Sequence, residues 1–244
     1  MSRIVLRMDD VGASTKHFEV YSKKPFGNFL FFKYLPFFRA WPKYDELSAS
    51  QWEEIIELLI KTRAKLTLGL TTTWVNKDSS LTSFPEKFPK QAEILKQAHK
   101  DEIVEIANHG LTHCVVGKHL PKLFSSNRKY HREFWDWISR EVHFDHIEKS
   151  QIILEDWLGT APSSFIPPGN VYSQDTLDAL YNNSIRLINS SVNPKSMNCS
   201  INYVNEDKVD AFHDKELSLM GIDWLASKIE SHKDKQFKLL RELC

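Results

Sequence analysis

The chain has little cysteine: Cys114, Cys199 and Cys244 are the only three in 244 residues, widely spaced and without a CxxC. An odd, scattered set excludes a disulfide framework and fits a reducing compartment. Excess charge is also missing. Lys+Arg and Asp+Glu stand at 32 each, so the balance gives no case for nucleic acid or another polyanion as partner. No run approaches the ~20 apolar residues of a membrane-spanning helix. The first ten residues hold two arginines and two aspartates around a short apolar run, too short for the core of a signal peptide. These absences lead to the expectation of a cytoplasmic protein. There is no internal repeat and no low-complexity segment.

What is present is a hydrophobic content of 41%, enough for one large α/β domain or two small ones. Aromatics reach 12%, which accompanies carbohydrate ligands as well as cores. Residues 3–8 read as a buried strand ending in an acidic pair. Residues 13–47 carry many aromatics broken by Pro25, Pro36 and Pro42, which forbid one continuous helix. They read as a long structured loop.

Ser50-Gln51-Trp52-Glu53 is a candidate capping box, opening a helix to about Arg63 with Trp52, Ile55, Ile56, Leu59 and Ile60 inward. A strand over 64–75, a helix over 89–100 and a strand over 103–107 follow. Residues 117–145 are basic and aromatic and read as an insertion with one helix. A helix over 147–158, closed by Gly159, precedes a short strand over 163–166. Ser173 can cap a helix to Asn182. Strands over 185–188 and 208–212 and a closing helix over 217–241 complete the pattern. Alternating strands and helices predict a mostly parallel sheet or barrel covered by helices. In such folds the site lies at the carboxyl ends of strands.

The suggestive residues sit at such ends. Glu105-Ile106-Ala107-Asn108-His109-Gly110-Leu111-Thr112-His113 offers two histidines four apart. That is about one helical turn, so both imidazoles can face one metal. Gly110 replaces the glutamate that an HExxH protease needs. Asp9 and Asp10 end the first strand, Pro167-Pro168-Gly169 follows a later one, and His213 ends the last. Each has a plainer reading: a solvated turn for the aspartates, a simple turn for Pro-Pro-Gly, a half-buried hydrogen-bonded residue for His213. The other seven histidines read as structural.

Taken in order, these pieces resemble the polysaccharide deacetylases of the NodB-homology type, carbohydrate esterase family 4. Met8-Asp9-Asp10-Val11-Gly12 resembles the first motif with Val11 inserted. His109-Gly110-Leu111-Thr112-His113 resembles the second, Ile166-Pro167-Pro168-Gly169-Asn170 the third and Phe212-His213-Asp214 the fifth. The resemblance implies a distorted (β/α) barrel with aromatic-rich and basic insertions, one catalytic domain over residues 1–244. It implies that Asp10, His109 and His113 hold one divalent metal, zinc by donor type, with cobalt or nickel also used in the family. Asp9 would be the general base and His213 the general acid. Pro168, Gly169 and Asn170 would face the substrate, an N-acetylated sugar that loses acetate. Other outcomes on the same scaffold are hydrolysis of a small cyclic amide, or carbohydrate binding with little turnover.

The sequence departs from the family at three places. Phe165 stands where the third motif has the arginine that holds the catalytic aspartate, so Arg7 or Arg186 is expected to take over, or Asp9 is held differently. Pro168 has no N–H for the oxyanion, which leaves Gly169 or Asn170 as donors. No fourth motif is found; Asp207 and Asp210 are candidates for the aspartate that supports the catalytic histidine. The stretch Phe26–Trp41 leaves the site directly after Asp10. Its aromatics either fold back as a lid or stand exposed, with Lys23, Lys24, Lys33, Arg39 and Lys43 between them, and rest on a bilayer. Joint exposure of several of Phe29, Phe31, Phe32, Phe37 and Phe38 separates the two.

Overall fold

The structure, a computed structural model, describes residues 2–192 and 201–243. The chain opens with β1 (Arg3–Val11), a single helical turn α1 (Thr15–Phe18) and a long loop, then α2 (Ala49–Thr62). Next come β2 (Leu66–Leu70), an antiparallel pair β3 (Thr73–Val75) and β4 (Leu81–Ser83), then α3 (Phe84–Lys87), α4 (Pro89–Lys100) and β5 (Val104–Asn108). After a second long loop follow α5 (Arg140–Leu158), β6 (Ser164–Phe165), α6 (Gln174–Asn182), β7 (Leu187–Asn189) and β8 (Asn202–Val204). The chain closes with β9 (Val209–His213), α7 (Asp214–Met220), α8 (Ile222–Glu230) and β10 (Gln236–Phe237).

The main sheet is parallel throughout. β9 and β10 pair with β1, and β1 continues through β2, β5, β6 and β7 to β8. Among the described residues no ladder joins β8 to β9, so the curved sheet is a distorted (β/α) barrel left open on one side. Parallel strands covered on both faces must be apolar throughout. β2 and β5 are buried at every position, as are Val5, Leu6 and Met8 in β1. The main core packs these strands against Trp52, Ile55 and Leu59 of α2, Leu95 of α4, Leu154 of α5 and Leu225 of α8.

Four boundaries differ from the sequence reading, each for a physical reason. The capping box of α2 is Ser48 with Gln51, two residues earlier than expected: Ser48 Oγ accepts from the Gln51 amide and the Gln51 side chain accepts from the Ser48 amide. The buried face is Trp52, Ile55 and Leu59, and Ile60 beside it is exposed rather than inward. The strand expected over 64–75 breaks after Leu70, because Thr71 and Thr72 bond to Val11 and Gly110 while β3 turns away to β4. The helix expected from residue 147 begins at Arg140, at the end of the basic loop. The closing helix expected over 217–241 is split by Gly221, whose φ of 75° breaks the helical path, and it ends at Glu230, after which Gln236–Phe237 pairs with β1 as a strand. Among the cysteines, Cys114 is buried and free, while Cys199 and Cys244 lie outside the described residues.

Candidate metal centre and catalytic cleft

The acidic pair is not beyond β1 but inside it, at a β-bulge. Met8 pairs with Leu68 and Val11 with Leu70, so Asp9 and Asp10 together oppose Gly69 alone. In a regular strand two consecutive side chains point to opposite faces. Asp10 adopts φ 70°, a left-handed conformation that aspartate tolerates. The bulge thereby brings both carboxylates to the lining of one cleft. Gly69 suits the close approach here: a Cβ would lie 3.1 Å from Asp9 Oδ1 and 3.2 Å from His109 Nδ1, so both side chains would have to shift by a few tenths of an ångström.

The two histidines are not on a helix, as their spacing suggested. His109 follows β5 directly, and residues 109–114 form an irregular loop with Gly110 at φ 82° and His113 at φ 57°. The loop is gathered by Glu133, which is buried in the second insertion. Its carboxylate accepts hydrogen bonds from the amides of Leu111, Thr112 and His113 at 3.1, 3.2 and 2.8 Å, and pairs with His146 Nδ1 at 2.5 Å. Three successive amides on one anion make an anion-binding concavity. Gly110 is needed twice, for its left-handed φ and because a Cβ there would collide with the Glu133 carboxylate.

Asp10, His109 and His113 converge, with one donor atom from each within 4.8 Å of the others. His113 Nε2 lies 3.0 Å and His109 Nε2 3.4 Å from Asp10 Oδ1. His109 Nδ1 faces the Ile166 carbonyl at 2.6 Å. As a donor there it fixes the tautomer that leaves Nε2 with its lone pair. Neither ring nitrogen of buried His113 has a hydrogen bond among the described residues, despite the nearby carboxylate. Burial opposes the Asp10 charge, but the adjacent imidazoles outweigh it and hold its carboxyl well below the usual range. Burial pushes the His113 pKa down, toward the neutral ligand form. Two imidazoles and one carboxylate, with a buried orphan nitrogen among them, fit a divalent ion of the zinc, cobalt or nickel type.

Asp9 lies next to this cluster. Buried Arg7 donates to Asp9 Oδ2 at 2.9 Å and to Asn189 Oδ1 at 2.5 Å, with Glu206 at 3.4 Å. Asp9 Oδ1 has no hydrogen bond among the described residues. Of the two arginines considered, Arg7 therefore reaches Asp9. Arg186 bonds the Tyr181 carbonyl and stacks on the Tyr181 ring instead. Phe165 fills the position expected for arginine as a core residue against Phe134.

His213, at the end of β9 in register with Asp9 of β1, lines the same cleft, with its ring edge-on to Trp41 at 5.8 Å. Neither aspartate considered for its support is there. Asp210 is held by Lys228 and His232 at 2.6 and 2.7 Å, and Asp207 is exposed in the turn before β9. The carboxylate in ion-pair range of His213 is Glu216, 3.8 Å from Nδ1, which caps α7 by accepting from the His213 amide. Gly169 and Asn170 also line the cleft, both with left-handed backbone, and the Asn170 side chain accepts from Ser190 and Ser191. Pro168 is buried behind them and does not line it.

The sequence reading missed several residues of the cleft. Lys16 is buried, bonded to Glu46 at 2.5 Å and to Asp214, whose charges outweigh its burial and keep it protonated. Arg132 lies over Gly169 and 3.6 Å from Glu19. Trp41, Pro42 and Tyr44 come from the end of the aromatic loop. Only the proximity of loop ends to β1, legible for Trp41, signalled any of these.

Glu133→Gln tests the loop's anchor. Burial opposes the Glu133 charge, but His146 and the His113 and Thr112 amides outweigh it and hold its pKa below the usual value. A depressed carboxylate contributes stability that is present above its unfolded pKa and is lost as pH falls through the folded one. The substitution is expected to cost about 3–5 kcal/mol in denaturant unfolding at neutral pH, with a smaller difference in acid. Equal midpoints at neutral pH would show that the loop holds without the carboxylate.

A family model described as polysaccharide deacetylase matches residues 39–188. The matched stretch contains His109, His113 and Pro168–Asn170; β1 and β9, with Asp9, Asp10 and His213, lie outside it. No curated protein matches the chain. Among solved structures, it is similar to a family 4 acetyl xylan esterase from Clostridium thermocellum in complex with a cobalt ion. That pair is 12% identical with a TM-score of 0.52, over 99% of this chain and 90% of the other. It is similar to BA3943, a CE4 family pseudoenzyme from Bacillus anthracis, at 12% identity and a TM-score of 0.52, over 99% of this chain and 65% of that one. It is similar also to the Bc1960 peptidoglycan N-acetylglucosamine deacetylase, at 15% and 0.50, over 98% and 86%. These identities speak for the fold alone. The family match spans more than half of the sequence, and by it this chain belongs to the polysaccharide deacetylase family.

Proposed function

We propose that the protein hydrolyses the N-acetyl group of an acetylated amino sugar, releasing acetate, with one divalent metal held by Asp10, His109 and His113. The observation that carries this reading is the convergence of those three donors beside a carboxylate, Asp9, that is aimed by Arg7 and has one oxygen unengaged. A divalent ion there supplies Lewis acidity to the acetyl carbonyl and to an attacking water. Asp9 Oδ1 is placed to accept the water's proton, while Arg7 fixes the carboxylate through Oδ2. His213, on the strand beside Asp9, gives a proton to the departing amine nitrogen, a task suited to imidazole. Gly169 and Asn170 bound the acetyl side, and Trp41 and Tyr44 give flat walls for a sugar ring.

Zinc is our choice of ion and an N-acetylated sugar our choice of partner, with the cytoplasm as the compartment. No helix among the described residues is long and apolar enough to cross a membrane. We read residues 1–244 as one catalytic domain, a reading supported by the pairing of β9 and β10, from the end of the chain, with β1.

The test is metal analysis of the purified protein together with acetate release from a panel of N-acetylated sugars. We expect one equivalent of a divalent ion and release that a chelator abolishes and added metal restores. Bound metal without release from any member would support the second reading, a carbohydrate-binding protein with little turnover. One feature favours that rival: among the described residues His213 has no carboxylate at hydrogen-bond distance from its ring, Glu216 lying 3.8 Å away.

A further inference from the structure

The two loops that frame the cleft share a composition found nowhere else in this neutral chain. Between Glu19 and Asp45 there is no acidic residue, but there are Lys23, Lys24, Lys33, Arg39 and Lys43. Between Glu105 and Glu133 there is again none, but there are Lys118, Lys122, Arg128, Lys129 and Arg132. The fold places these loops against each other. Buried Lys33 donates to the carbonyls of Lys122, Leu123 and Ser125, and Asn127 bonds the backbone of Phe18 and Val20. A lysine ammonium buried to hold three carbonyls is a clamp, and it sets the Leu123–Phe124 tip beside Phe29, with ring centroids 5.6 Å apart.

What the clamp displays is apolar. Phe26 is 88% exposed and Phe37 71%, and Phe29, Phe31, Leu35, Leu123 and Phe124 are exposed with them. Phe32 and Phe38 lie beneath, stacked 5.5 Å apart. The residues sit on turns and loop tips, not on a helix face or sheet edge. A soluble surface rarely gathers so many large apolar side chains without a partner. The lid alternative fails on this exposure, for the rings point outward while only the loop's end, from Trp41 to Tyr44, reaches the cleft.

We infer that this patch docks the protein on an anionic bilayer surface. Charge complementarity selects that occupant. Arg128 and Arg132 are in reach of Glu19, but among the described residues Lys23, Lys24, Lys43, Lys118, Lys122 and Lys129 form no ion pair, and all six are exposed. Phenylalanines on loop tips with lysines beside them suit the boundary between acyl chains and anionic headgroups. Two copies of the chain meeting through the same patch would instead oppose lysine to lysine. Docking also brings the cleft to the headgroup level, because Ala40 bonds Tyr21 at the loop's base and Trp41 follows on the rim. That last consequence, a sugar substrate carried on a membrane anchor, rests on the deacetylase reading; the docking does not.

Co-sedimentation of the full chain with phosphatidylcholine vesicles, with and without phosphatidylserine, tests it. We expect binding only to the anionic vesicles, weakened by salt. The triple variant Lys23→Ala, Lys24→Ala, Lys122→Ala is expected to lose about a hundredfold in partitioning, at roughly fivefold for each lysine. Phe26→Ser with Phe31→Ser and Phe37→Ser is expected to abolish binding. Far-UV circular dichroism and thermal unfolding check both, and Phe37→Ser alone serves if the triple variant is unfolded. Folded wild-type protein that ignores anionic vesicles overturns the proposal, as does binding that none of the variants weakens. A concentration-dependent dimer dissolved by the Phe variants, in protein that does not sediment with vesicles, overturns it in favour of self-association. Neither readout depends on activity, so failure of the deacetylase reading leaves this test intact.

Discussion

Replacing Asp9 by Asn is expected to lower acetate release at saturating substrate by about 10²–10⁴-fold, the usual contribution of a positioned general base, while the bound metal stays. The amide keeps the shape of the carboxylate, and its oxygen can still accept from Arg7, which lies 2.9 Å from Oδ2. It cannot take a proton. Asp10, His109 and His113 are untouched, so metal content should match wild type. Arg7 would lose part of its compensation, since Glu206 at 3.4 Å is half-buried and Asn189 is neutral, so unfolding should be measured alongside. A D9N protein that is folded, metal-loaded and as active as wild type would place the base elsewhere. A folded D9N protein without metal would mean that Asp9 belongs to the ligand set.

Replacing His113 is expected to remove metal and activity together. One of three donors disappears, and the loss of affinity should exceed the roughly 10–100-fold that a change in an outer partner costs. The choice of substitute matters. His113 has φ 57°, a region that alanine enters only with strain, so His113→Ala mixes backbone strain with ligand loss. Asparagine tolerates that backbone and lacks an imidazole. H113N is therefore the cleaner variant: normal unfolding, little metal, no acetate release. Retention of a full equivalent of metal in H113N would remove His113 from the site. Activity without metal in either variant would overturn the metal-dependent reading altogether.

Much of this molecule is written locally. The helices over 89–100 and 174–182 are set by Pro89, a first-turn residue, and by the Ser173 cap, and they appear within a residue of expectation. The buried strands β2 and β5 follow from short apolar runs, and the order of strand and helix determines a parallel sheet. The residue types at strand ends likewise pointed to Asp9, Asp10, His109, His113 and His213, which line one cleft.

What the sequence could not set is how those residues come together. A four-residue spacing suggests a helical turn, yet the two imidazoles meet through a left-handed loop held by Glu133, twenty or more positions away in an insertion that matches no motif. Alternation along β1 does set Arg7, two residues before Asp9, on the same side, but the turning of Asp210 away from His213 toward Lys228 and His232 depended on where α8 packs. Whether the aromatics of Phe26–Trp41 closed over the cleft or faced outward turned on one buried lysine and three carbonyls of a distant loop. The division has a single cause. Caps, prolines and apolar periodicity act over a few residues and can be read from neighbours in the chain, whereas a buried charge is satisfied by whatever polar group the fold delivers, at any distance in sequence.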